Sequence, residues 1–98
     1  DFRIVSFPKY ARTYDLYLYE NAIYVLTAAI EGKEYDIVIY SMEQGNIDKL
    51  KKEYSFKSLL HPTSFAVNDS DFFVALGEWN DNQNSENGTI FRIKRSYL

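Results

Sequence analysis

Apolar and polar residues alternate along most of the chain, in short runs closed by turn-forming residues. From Asp15 to Tyr19 the residues alternate Leu and Tyr, so Leu16 and Leu18 fall on one side of an extended backbone and Tyr17 and Tyr19 on the other. Glu20-Asn21 is a turn and Ala22 to Ala28 a partner strand, which makes a β-hairpin. The polar stretch Glu31-Gly32-Lys33-Glu34 turns again before a third run, Asp36 to Met42, and Glu43 to Asn46 turns once more. An earlier run, Phe2 to Phe7, closed by Pro8, predicts a strand of its own. Further on, Ser64 to Asn68 and Phe72 to Gly77 form a second hairpin about the turn Asn68 to Asp71. A long polar loop, Glu78 to Gly88, then leads to a last strand, Thr89 to Arg95.

These runs repeat. Leu16, Leu18, Ile23, Tyr24 and Val25 are each followed 49 residues later by Phe65, Val67, Phe72, Phe73 and Val74, and Val5-Ser6-Phe7 by Tyr54-Ser55-Phe56. Ile37 to Tyr40 match Ile90 to Ile93 only at an offset of 53, which places four extra residues in one loop of the second copy. A period of this length in short apolar runs predicts stacked β-units, a first at 1–49 and a second at 50–98. One segment is contested. Ile47, Leu50 and Tyr54 share a helical face and Asn46 is placed to cap it. The repeat instead sets Tyr54 to Phe56 in a strand, so the expectation is a helical turn at Ile47 to Lys49 followed by a strand near Leu50 to Phe56. Naming the strands of one unit A to D, the chain reads D-A-B-C-D-A-B-C.

Composition narrows the class. Nine Tyr and seven Phe in 98 residues favour strands, and a net charge of −3 does not suit a binder of nucleic-acid phosphates. Only Lys49 to Lys52 and Arg92 to Arg95 are locally basic, where solvated strand or turn faces are expected. The absence of cysteine removes disulfides, thiolate nucleophiles and Cys-based zinc sites, and no apolar run approaches the ~20 residues of a membrane-spanning helix. Asp1 in place of Met predicts a processed chain or a piece of a longer one. The acceptor triplets at Asn68 and Asn87 point to a secreted or cell-surface location.

The second copy, Pro62 to Val67 followed by Asp71 to Leu76 and Gly88 to Ile93, resembles the blades of NHL-type and related six-bladed β-propellers. The resemblance implies an all-β fold of four-stranded antiparallel blades. With material for two blades, it implies that the rest come from a larger protein or from identical chains. It also implies that Asp1 to Phe7 pairs beside Thr89 to Arg95, in this chain or a neighbour. Ligands of such proteins gather where the D-to-A and B-to-C connections meet, which here means Tyr10, Arg12, Tyr14, Glu31, Lys33, Glu34, His61, Thr63 and the 78–87 loop.

Within that set the ligand-binding candidates are Arg12, His61, Glu78, Trp79 and Asp81. Arg12 and His61 stand 49 residues apart at the entrance to equivalent strands. Trp79, the one tryptophan, is suited to stacking on a sugar or anchoring a protein. His61 also reads plainly as a turn histidine held by Pro62, and Arg12 as a solvated or carboxylate-paired side chain. Asn80, Asn82, Asn84 and Glu86 alternate as calcium ligands do, but Ser85 stands in place of the turn glycine and Phe91 in place of the bidentate Glu. No cofactor is therefore assigned, calcium being the alternative. The leading expectation is a non-catalytic binding or scaffolding module for a protein or glycan, with no nucleic-acid partner and no membrane span. The alternatives are a propeller hydrolase or lactonase-like enzyme drawing on Glu31, Glu34, His61, Glu78 and Asp81, and a small self-contained β-sandwich.

Overall fold

The computed structural model describes residues 4–44, 46–80 and 85–95, the side chains of 9, 78–80 and 85–87 excepted. Its strands are β1 Arg12–Tyr19, β2 Ala22–Glu31, β3 Glu34–Glu43, β4 Leu50–Ser58, β5 His61–Val67, β6 Asp71–Asn80 and β7 Ser85–Lys94. They form two antiparallel sheets, one in the order β1-β2-β3-β4 and one in the order β5-β6-β7. The chain is all-β, with single 3-10 turns at Pro8–Tyr10 and Ile47–Lys49. The contested segment is a helical turn and then a strand. Asn46 caps the turn, its side chain accepting from the Asp48 N–H at 3.0 Å, and β4 follows immediately as the edge of the first sheet.

The two hairpins pair in the same way. Leu16 faces Val25 and Leu18 faces Ile23 in β1–β2, as Phe65 faces Val74 and Val67 faces Phe72 in β5–β6. The ladder slips between Thr13 and Asp15 in one, and between Pro62 and Ser64 in the other. Beyond β2 the expected offset is corrected. Val25 faces Tyr40 while Val74 faces Phe91, 51 residues further on. Two residues separate β2 from β3 and four separate β6 from β7, so the insertion is two residues and not four. Side chains alternate with a period of two, so a slip of two leaves every residue on its face. Matching apolar positions therefore cannot tell 51 from 53.

Two further expectations are overturned. The loop expected from Glu78 to Gly88 is largely ladder, with Glu78 opposite Asn87, Trp79 opposite Glu86 and Asn80 opposite Ser85. Asn-rich composition signals a turn, yet pairing continues wherever backbone N–H and C=O groups find partners, whatever the side chains. The expected strand Phe2 to Phe7 does not form a ladder in its described part. Ile4 to Phe7 belongs to no ladder, with Phe7 itself extended, and residues 1–3 lie outside the described residues. It does not join β7 of its own chain, because it runs instead over the first sheet, where the Phe7 ring meets that of Tyr40 at 4.9 Å. The second sheet consequently has three strands, and the chain seven rather than eight among the described residues.

The first sheet turns its front to the back of the second. Tyr24, Leu26, Ala28, Ile37 and Ile39 from one side and Phe65, Val67, Phe72, Val74, Leu76 and Ile93 from the other form one buried cluster. Aromatic contacts stitch the layers, Tyr17 with Phe65, Tyr24 with Phe72, and Phe56 with Phe91 at 4.6 Å. β2 is buried on both faces from Tyr24 to Ala29, as the central strand of a covered sheet must be. Thr27 tolerates complete burial because its hydroxyl donates to the Val38 carbonyl at 3.0 Å.

Candidate functional site

Arg12 and His61 begin β1 and β5, and they pair with Ala28 and Gly77, which are themselves 49 residues apart. Arg12 is exposed. With Tyr10, Tyr14, Ile30 and Tyr35 it lines an open hollow of about 360 Å³. Tyr10 is held there with a left-handed backbone, φ 53°, at the end of the 3-10 turn, and its side chain is wholly exposed. His61 is half-buried and meets the Tyr35 ring edge-on at 6.3 Å, its Nδ1 lying 3.3 Å from the Pro62 carbonyl. Tyr35 thus stands between the Arg12 hollow and the single histidine. The strand end presents phenols, a guanidinium and an imidazole, groups that donate hydrogen bonds and offer ring faces.

The remaining sequence candidates are placed only in part. Glu78 and Trp79 belong to β6 rather than to a loop, and their side chains, like Asp81 as a whole, lie outside the described residues. Of the oxygen donors weighed for calcium, Asn80 and Glu86 sit on neighbouring strands of a hairpin, and Asn82 and Asn84 are outside the described residues. Among the described residues no three His, Cys, Asp or Glu side chains group as a metal site would need. Glu31 accepts from Lys57 Nζ at 2.6 Å, and Asp36, half-buried, lies 3.7 Å from the same ammonium, a network joining β2, β3 and β4.

The opposite end holds what sequence reasoning missed. Arg95 was expected on a solvated basic face. It is half-buried instead, lying over the rings of Tyr19, Tyr24 and Phe72 at 5.7, 5.4 and 5.5 Å. Its guanidinium donates to Tyr24 Oη at 2.8 Å and to the Asn68 carbonyl at 2.6 Å, while its backbone N–H donates to the Ser70 carbonyl. Beside it the Tyr19 hydroxyl donates to Asp69, and that bond first, with partial burial, pushes the phenol up to about 12. Burial raises Tyr24 as well, against the opposing charge of Arg95. The two basic runs also converge, for Lys51 and Lys52 of β4 share an open hollow with Lys94 and Arg95. Glu53 sits among them, 3.6 Å from Lys51 and accepting from Ser41.

Asp15 joins the sheets at the inner strands. One oxygen accepts from its neighbour Leu16 at 2.9 Å and the other from the Phe65 N–H of β5 at 3.0 Å. The bulge between Thr13 and Asp15 turns the carboxylate toward that edge. The cross-sheet contacts were not visible as a motif, since Tyr19–Asp69, Asp15–Phe65 and Arg95–Tyr24 each unite residues 50 or more positions apart. Among the described residues no helix is long and apolar enough to cross a membrane. Comparison with protein-family models, with curated proteins and with solved structures returns no match for the chain.

Proposed function

We propose that the chain supplies two blades of a β-propeller and works as a non-catalytic binding module, holding a protein partner at the end where β1 and β5 begin. The observation that carries the binding site is the Arg12 hollow, an exposed guanidinium framed by three tyrosines of which one, Tyr10, is wholly accessible. Tyr and Arg dominate the energetics of protein interfaces, because each combines a large apolar surface with a directed polar group. The propeller reading is supported by the shared hairpin register, by ladder slips at matching positions, and by the front-to-back stacking of the sheets. A self-contained sandwich uses the same shared core, but it leaves uncovered the apolar positions Leu16, Leu18 and Ile90, which are 62, 72 and 73% exposed.

Selection of random displayed peptides on the 98-residue chain tests the site. Enriched peptides should bind the wild-type chain and lose about tenfold or more, ~1.4 kcal/mol, against Tyr10→Ala and Arg12→Ala chains whose unfolding is unchanged. Enrichment indifferent to both substitutions would move the site elsewhere. Binding on a glycan array with no peptide enrichment would replace the protein partner by a sugar.

A further inference from the structure

Resting on the repeated-sheet reading above, we propose that the chain docks head to tail on a second copy of itself. The Val5–Phe7 segment of one copy joins the outer edge of β7 in its neighbour, and the front of that neighbour's second sheet seats on the back of this copy's first sheet.

Three observations carry this. The first is a repeated ring contact. Phe56 on β4 meets Phe91 on the next sheet at 4.6 Å, and Phe7 meets Tyr40 at 4.9 Å. Phe7 precedes Phe56 by 49 residues, and Tyr40 holds against Val25 the ladder place that Phe91 holds against Val74. Phe7 therefore occupies the position of a fourth strand belonging to a sheet that would lie behind the first one. Phe7 is extended, and exposure alternates along its segment, Val5 and Phe7 half-buried, Ile4 and Ser6 exposed.

The second is an open edge. β3 is covered along its outer side by β4, with Ile37 opposite Phe56 and Ile39 opposite Tyr54. The equivalent strand, β7, has no partner on that side among the described residues. A long unpaired edge invites strand addition. Transposed by the same register, Val5 of the incoming copy lies opposite Ile90, and Phe7 opposite Gly88, where the missing side chain leaves open space.

The third is a pair of matching faces. Phe65 and Val67, 5 and 4% exposed, are covered by the first sheet, whereas their counterparts Leu16 and Leu18 are 62 and 72% exposed. Ile39 is fully buried by the second sheet, whereas its counterpart Ile90 is 73% exposed. Leu16 and Leu18 on the back of the first sheet and Ile90 on the front of the second thus lack the covers that their counterparts have in the internal interface. Since one chain holds both, at opposite ends, a second copy continues the same packing. Such a heterologous contact closes into a ring if the rotation per copy permits, at about four to eight sheets.

The native mass of the 11.5 kDa chain and a cross-linking pair test it. The sequence has no cysteine, so Val5→Cys/Ile90→Cys introduces the sole pair. Expected is a discrete multimer whose oxidised form runs as a ladder of linked copies on non-reducing gels, while Ser6→Cys/Ile90→Cys, aimed at opposite faces, loses the ladder. Leu16→Asp/Leu18→Asp, altering only exposed positions, should return the chain to 11.5 kDa. A monomer that links Val5 to Ile90 within one chain overturns the second copy and keeps the repeated-sheet reading. A folded monomer that forms no link in either variant overturns both and leaves the sandwich. A multimer untouched by Leu16→Asp/Leu18→Asp, or linked equally by both cysteine pairs, overturns the proposed interface.

Discussion

Arg95 shows how much a single side chain can do when tertiary packing collects its partners. Its guanidinium spans three rings and binds Tyr24 on one sheet and Asn68 on the other, so it latches the layers at the end opposite to the Arg12 hollow. Tyr19 and Asp69 add a second cross-sheet bond beside it. The neutral phenol is the donor, and the folded state raises it from 10.0 to about 12. Its contribution is therefore whole below pH 10 and is lost as the pH climbs through about 12, because the unfolded phenol releases its proton first. Thermal unfolding followed across this range should show a steep alkaline fall in the wild-type chain and a shallower one in Tyr19→Phe. Part of the fall should persist in the variant, since Tyr24 is raised in the same direction by burial. Identical alkaline limbs would mean that the Tyr19–Asp69 bond does not hold in solution. Nothing in the sequence near Tyr19 or Arg95 announces the latch, because strand alternation assigns them faces and not partners.

At the scale of elements, turn chemistry and strand pairing were legible to different degrees. The Glu31-Gly32-Lys33-Glu34 turn was readable, and Gly32 carries the left-handed φ of 65° that such a tight connection needs. The first hairpin makes the same demand of Glu20, at φ 53°, where a side chain is disfavoured. Glu20→Gly should accordingly raise the melting temperature, and Gly32→Ala, whose added methyl meets nothing within 4 Å, should lower it by backbone strain of ~1 kcal/mol. Shifts of the same sign in both variants would contradict these turn conformations. The segment from Asn46 to Phe56 was legible because the repeat outweighed local helical periodicity, and β4 has the expected start at Leu50. The β6–β7 hairpin was not, because Asn, Gln and Ser mark loops by composition while ladder hydrogen bonds involve only the backbone.

For the whole molecule, the deciding feature is that neither sheet owns a core. Leu26 and Ile39 of the first sheet and Val74 of the second are fully buried in the same cluster. The two layers bury one apolar face each against the other, which makes the pair one cooperative unit. Leu26→Ala should cost ~2–5 kcal/mol. It should also speed amide exchange in β6 of the second sheet as much as in β2 of the first. Faster exchange confined to the first sheet would show two independently stable layers.

Taken by itself, the sequence determined the all-β class, the places of the β1–β2 and β5–β6 hairpins, the helical turn before β4 and the strand-start positions of Arg12 and His61. It could do so because a period of two and turn-forming residues are local properties of the chain. Tertiary structure alone decided that β4 closes the first sheet, that Phe7 lies over Tyr40 instead of pairing with β7, that β6–β7 carries two extra residues rather than four, and that Arg95 sits among rings. The physical reason is common to all four. A face is set by alternation within a strand, whereas register, edge partners and inter-sheet contacts are set by which backbone groups and apolar surfaces find each other across the fold.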